Sequence, residues 1–161
     1  MCKTYVDTTV LSTVDKVKEA YSLLGWNGEK TEQHRKALSD IKDIGTTNLD
    51  HPFTYIKSEV EKFRSNENTS ELLFVHSREP DEIKRFVENF DCVTLLMKND
   101  NAEDIQSNHA DAEVANYKYD YEVDNDGTIS DLKNKAWNFI VWLQARRYYK
   151  DTDKLKENSR R

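Results

Sequence analysis

The chain has 161 residues, 37% of them apolar and 11% aromatic, which is enough for one compact domain with a real core and too much for a disordered chain. Four glycines and two prolines argue against a sandwich of many short, tightly turned strands, while a charged content of 34% suits amphipathic helices. The net charge is −6 and no basic stretch is long enough to track a phosphate backbone, which argues against nucleic-acid binding by counterion release over most of the surface.

In chain order, Thr4 to Leu11 reads as a strand. Ser12 or Thr13 then caps a helix whose Val14, Val17, Tyr21 and Leu24 share a face, with a stop at Gly25. Gly25-Trp26-Asn27-Gly28 is a turn. A second helix starts at Thr31 with Glu32 and Gln33, turns Ala37, Leu38, Ile41 and Ile44 inward, and is expected to stop near Gly45. A third runs from about Pro52 with Phe53, Ile56, Val60 and Phe63, and Ser65 to Ser70 is a polar loop. Leu72 to Val75 is short and apolar, as in a parallel strand buried on both faces. Pro80 has the φ suited to a first helical position, Asp81 and Glu82 favour the positive end of a helix dipole, and Ile83, Phe86, Val87 and Phe90 form a helical stripe. Val93 to Met97 and Tyr119 to Val123 are further strand candidates. The long polar segment between them, Lys98 to Tyr117, suits a lid or binding loop. An Asn-Asp-Gly turn at 125 to 127 leads into a terminal helix carrying Ile129, Leu132, Ala136, Phe139, Ile140 and Leu143.

This alternation implies an α/β fold, a three-layer and mostly parallel sheet flanked by helices, in a single domain over 1–149. Residues 150–161 are expected to be a basic, flexible tail, since Arg146, Arg147, Lys150, Lys154, Lys156, Arg160 and Arg161 concentrate positive charge near that end. Cys2 and Cys92 are too few for a disulfide framework, and Cys92 opens an apolar run where a buried thiol is the default. With no charged-then-apolar leader and no apolar span of ~20 residues, the expected setting is the reducing cytoplasm, with no membrane partner. Asn68-Thr69-Ser70 is then an idle sequon.

Few motifs carry chemistry. Asp124, Asp126, Gly127, Ile129 and Ser130, with Glu122 first, match the middle of an EF-hand loop. Lys133 falls where the bidentate carboxylate belongs, so a strand-to-helix turn is the better reading. His34, His51, His76 and His109 lack metal-ligand spacing, and no metal site is expected. There is no G-x-S-x-G, H-E-x-x-H, G-x-G-x-x-G or G-x-x-x-x-G-K-[ST], and no catalytic residue is assigned. Arg78 stands out. The loop Ser77-Arg78-Glu79 follows a strand's carboxyl end, where open α/β sheets bind ligands, and a guanidinium offers fork geometry to a phosphate; the alternative is a salt bridge to Glu79 or Glu82. Lys30 and Arg35 are weaker candidates for the same phosphate.

An ordered series of segments carries a resemblance: Ser12-Thr-Val-Asp-Lys-Val-Lys-Glu-Ala20, Leu24-Gly-Trp-Asn-Gly-Glu-Lys30 with Arg35, Leu38-Ser-Asp40, Asp50-His-Pro52, Arg78-Glu-Pro-Asp-Glu-Ile83, Thr94-Leu-Leu-Met-Lys98, Asn108 with Ala110-Asp111, Val114 with Asn116-Tyr117, Tyr119-Asp120 and Asn125-Asp-Gly127. It resembles P-loop nucleoside- and deoxynucleoside-monophosphate-kinase-like proteins of bacteria and phages, over most of residues 8 to 145. Such proteins open with a strand, a Walker A loop and a helix, and have sheets of order 2-3-1-4-5. Here the Walker A segment and first strand are missing, and His76-Ser77 stand where a Walker B acid would. The resemblance implies substrate-phosphate binding by Arg78, Arg35 and Lys30, and a lid with Lys98, Asn108 and Asp111. ATP and Mg²⁺ are implied as cofactors only where a P-loop is supplied, because phosphoryl transfer rests on that cradle.

Two readings follow. One is a nucleotide-kinase-like protein that binds a nucleotide or phosphate on the acceptor side, with phosphotransfer not expected of this chain as it stands. The other is a catalytically inactive phage or mobile-element module that binds a protein, for example a host factor. In the absence of a central strand, the Leu72 and Val93 strands must pair directly, be joined by the segment near Tyr5, or be covered by a partner or a second copy.

Overall fold

A computed structural model describes Cys2, residues 5–65, 70–99, Val114 and residues 117–158, the last eight by their backbone alone. Among them, four strands and five longer helices run β1 (Thr8–Ser12), α1 (Asp15–Leu23), α2 (Glu32–Leu49), α3 (His51–Arg64), β2 (Leu72–His76), α4 (Pro80–Phe90), β3 (Leu95–Lys98), β4 (Tyr121–Asp124) and α5 (Ile129–Asn158). They divide into two compact units. The first holds Thr8–Cys92 with Val114 and Tyr117, and the second holds Cys2, residues 5–7, 93–99 and 118–158.

The α/β class and the parallel pairing stand, but the three-layer sheet does not. The described strands form two separate parallel pairs, β1 with β2 and β3 with β4. Each strand has only four or five residues, so each pair is a short ribbon. Of the options open for the Leu72 strand, the one realised is pairing with the segment just beyond Tyr5. That strand begins at Thr8 and ends at Ser12, later than the sequence suggested.

In the first unit, α1, α2 and α3 form the crossover between β1 and β2. Gly25 and Gly28 turn the chain between α1 and α2 at φ of 96° and 92°, values a side chain would resist. The Thr31 side chain caps α2 by accepting from the His34 amide at 3.2 Å. The stop expected at Gly45 is absent. A helix tolerates an interior glycine at a cost of about 1 kcal/mol, and the real stop is Asp50, whose left-handed backbone (φ 51°) ends α2 and directly precedes α3. Pro80 and the Asp81-Glu82 pair open α4 as expected, and Asp91 closes it with φ 48°. Arg64 donates to the Phe90 carbonyl at 2.5 Å, capping the same end.

The core of this unit is Ile56 and Val60 of α3 with Phe86 and Phe90 of α4, and Leu11, Phe53, Tyr55, Leu73 and Val75 pack against it. The Phe53, Phe86 and Phe90 rings lie 5.5–6.1 Å apart, centre to centre. This cluster joins both strands of the ribbon to α3 and α4, and so fixes the connection from β2 to α4. Cys92 is exposed rather than buried, because it sits in the link after Asp91 and the next strand begins only at Leu95.

In the second unit, β3 and β4 run in register from Leu95 beside Tyr121 to Lys98 beside Asp124. The Tyr121 ring meets Phe139 at 5.2 Å and Trp142 at 4.9 Å on α5, and Val123, Ala136 and Ile140 are buried. Tyr5 donates to the Lys133 carbonyl and lies 5.2 Å from the Trp137 ring. Asp120 accepts from the Thr94 amide and hydroxyl at 3.0 and 3.1 Å and pairs with Arg146 at 3.0 Å. Burial pushes its carboxyl up, but these donors outweigh burial and hold it below the ordinary aspartate value. The segment expected to be a tail from 150 continues α5 to Asn158.

Candidate functional site

The carboxyl ends of β1 and β2 lie side by side. Ser12 is the partner of His76, and the Thr13 amide donates to the His76 carbonyl at 3.3 Å. Each strand then passes within a few residues into a helix, β1 into α1 at Asp15 and β2 into α4 at Pro80. Two parallel strands that both lead into helices bring two helix N-termini, with their partial positive charge, to one edge of the ribbon. At that edge the Ser12 amide donates to Asp15 at 2.7 Å, and Arg78 stands exposed in the three-residue link between β2 and α4.

The link is braced from below by one lysine. Lys42 of α2 reaches Glu79 in a short ion pair and lies 3.6 Å from Glu82, with its side chain 12% exposed. Ser77 donates to the other oxygen of Glu82 in a short hydrogen bond, so Ser77, Glu79 and Glu82 are tied together around the Lys42 ammonium. Lys42, which the sequence did not single out, thus bonds both Glu79 and Glu82.

Beside this network is a cavity of about 200 Å³ lined by Thr46, Asp50, Pro52, Phe53, Glu79, Asp81, Glu82 and Arg85. Arg85 forms one wall. Its guanidinium bonds both oxygens of Asp50 at 2.5 and 2.6 Å and lies 3.6 Å from the centre of the Phe53 ring. The Arg85 hydrogen bonds hold the Asp50 carboxyl below its usual value and raise the guanidinium in turn.

The remaining expected residues fall elsewhere. Lys30 and Arg35 are exposed on either side of the Thr31 cap, at the turn between α1 and α2. There Tyr21 hydrogen-bonds His34 at 2.9 Å and stacks on Trp26. Arg35 precedes Lys42 by seven residues, about 10 Å along the helix at 1.5 Å per residue, so the α2 cation that meets the Arg78 link is Lys42. Lys98 belongs to the second unit, where it pairs with Glu122 across β3 and β4. Asn108 and Asp111 lie outside the described residues.

The turn with partial EF-hand spacing is held by side chains of the following helix. Lys135 donates to the Asp124 carbonyl at 2.5 Å and lies 3.7 Å from Asp126, while Asp131 is taken up in a reciprocal cap with Thr128. Among the described residues no group of three or more His, Cys, Asp or Glu side chains is placed to hold a metal ion. No helix of the described chain is long and apolar enough to cross a membrane.

No protein-family model, curated protein or solved structure matches the chain.

Proposed function

We propose that the first unit is a nucleotide-kinase-like module that binds the phosphate of a nucleoside monophosphate at the carboxyl edge of β1 and β2, with Arg78 as its principal ligand. The observation that carries this reading is the exposed Arg78 in the β2–α4 link, on an edge to which two helix N-termini also converge. The resemblance to monophosphate-kinase-like proteins points to the same loop. With no Walker A motif in the sequence, the reading is of acceptor binding and not of phosphoryl transfer by this chain alone.

Thermal denaturation with and without nucleoside and deoxynucleoside monophosphates tests it. A ligand at 100 times its Kd adds about 2.7 kcal/mol, a readily measured shift. Arg78→Ala should abolish the shift. A wild-type chain that shifts with no monophosphate, or a variant that shifts as the wild type does, would refute the assignment.

The alternative is a protein-binding module, and α2 favours it: the helix has no fully buried residue and leaves Ile44 63% and Leu49 70% exposed. Polar replacement of both residues should then leave monophosphate binding intact and remove any self-association seen by light scattering.

A further inference from the structure

An anion held by Arg78 enters acidic surroundings. Glu79 is the next residue, Asp81 and Glu82 lie in the first turn of α4, and Asp15 begins α1 at the other strand end. Asp15 has Lys18 at 3.5 Å, but Glu79 and Glu82 beside the Arg78 link would weaken its attraction for a phosphate and offset part of the positive end of α4. Lys42 changes that balance. Its ammonium arrives from a different helix, is largely shielded from solvent, and pairs with Glu79 at the end of the Arg78 link and Glu82 in the first turn of α4. Shielding matters because a charge held in low-dielectric surroundings acts on its neighbours more strongly than an exposed one. The Ser77 hydroxyl completes the arrangement by fixing Glu82 from the loop side.

We propose that Lys42 is a positioning residue for the Arg78 phosphate site: by holding both Glu79 and Glu82 it offsets one of their two negative charges and fixes both carboxylates on itself, which makes the loop more receptive to an anion. This inference rests on the phosphate reading of that loop and adds to it the electrostatic condition under which it works. Lys42 does not touch the ligand; it acts through the two glutamates.

The test measures monophosphate affinity by calorimetry at two salt concentrations on the full chain. Lys42→Met should weaken binding about tenfold or more at low salt and less at high salt, since the cause is an uncompensated charge. Adding Glu79→Gln and Glu82→Gln to that variant removes the negative charges left without Lys42, keeps the acceptor for Ser77, and should restore affinity to within about threefold of wild type. Glu79→Gln alone, at a side chain 44% exposed, should bind more tightly than wild type; this arm does not depend on Lys42→Met folding well. Wild-type binding that Lys42→Met leaves unchanged defeats the inference alone. Binding lost in Lys42→Met and not recovered in the triple variant, or not strengthened by Glu79→Gln, also defeats it, because a purely structural lysine would behave in that way. A wild-type chain that binds no monophosphate defeats the phosphate reading itself, and this inference with it.

Discussion

Replacing Ile56 with Ala probes the cluster that fixes the β2–α4 link. Ile56 is fully buried, with 0% of its surface exposed, and sits among Val60, Phe86 and Phe90 with Leu73 and Val75 of β2 against the same cluster. The substitution removes three carbons beyond Cβ. At about 0.8 kcal/mol per buried methylene the transfer loss is about 2.4 kcal/mol. The residual void adds ~1 kcal/mol or more, because helices and ribbon packed on all sides collapse only in part, so a total of about 3–4 kcal/mol is expected. Leu23→Ala is the matching control: at 89% exposure it should change stability by less than about 0.5 kcal/mol. Urea denaturation followed by far-ultraviolet circular dichroism measures both, and amide exchange in residues 72–90 shows whether the loss falls in the first unit. An Ile56→Ala cost no larger than that of Leu23→Ala would refute the packing described for this unit.

Thr31→Ala removes the side-chain cap of α2 and should cost about 1 kcal/mol in the same denaturation experiment, with faster exchange at the His34 amide. The Asp50–Arg85 pair contributes through a carboxyl whose folded value lies below its unfolded one, so its stabilisation is fully present above the ordinary aspartate value and is lost as pH falls through the lower, folded value. Since both side chains are over 40% exposed, the contribution should stay within about 1 kcal/mol, and Asp50→Asn should flatten that acid limb of the stability profile.

Much of the first unit was legible in the residues themselves. Pro80 followed by two acids and a four-residue apolar stripe could hardly be anything but a helix start, and α4 runs from Pro80 to Phe90. Thr31 likewise marked the start of α2. The end of α2 was misread because Gly45 is the conventional stop, whereas the residue that takes the left-handed conformation is Asp50, a rarer choice flagged only by Pro52 two residues on. The three-layer sheet failed for a different reason: strand runs of four or five residues indicate buried ribbons but do not say which run lies beside which, and the assumed order came from the resemblance. Lys42 was missed although a signal existed. It lies one turn from Leu38 and Gly45 and next to Ile41, on or beside the apolar face of α2, and a lysine there calls for a carboxylate partner; Glu79 and Glu82, three apart around Pro80, were the available pair. Burial of Cys92 was expected from the apolar run after it, but that run enters its strand only at Leu95.

The most direct test of the phosphate site is amide chemical-shift mapping during a monophosphate titration of the isotope-labelled chain. Saturable shifts confined to residues 12–15 and 77–83, absent in Arg78→Ala, are expected. Saturable shifts centred elsewhere, such as on β3, β4 and α5, or no shifts at millimolar monophosphate, would contradict the account.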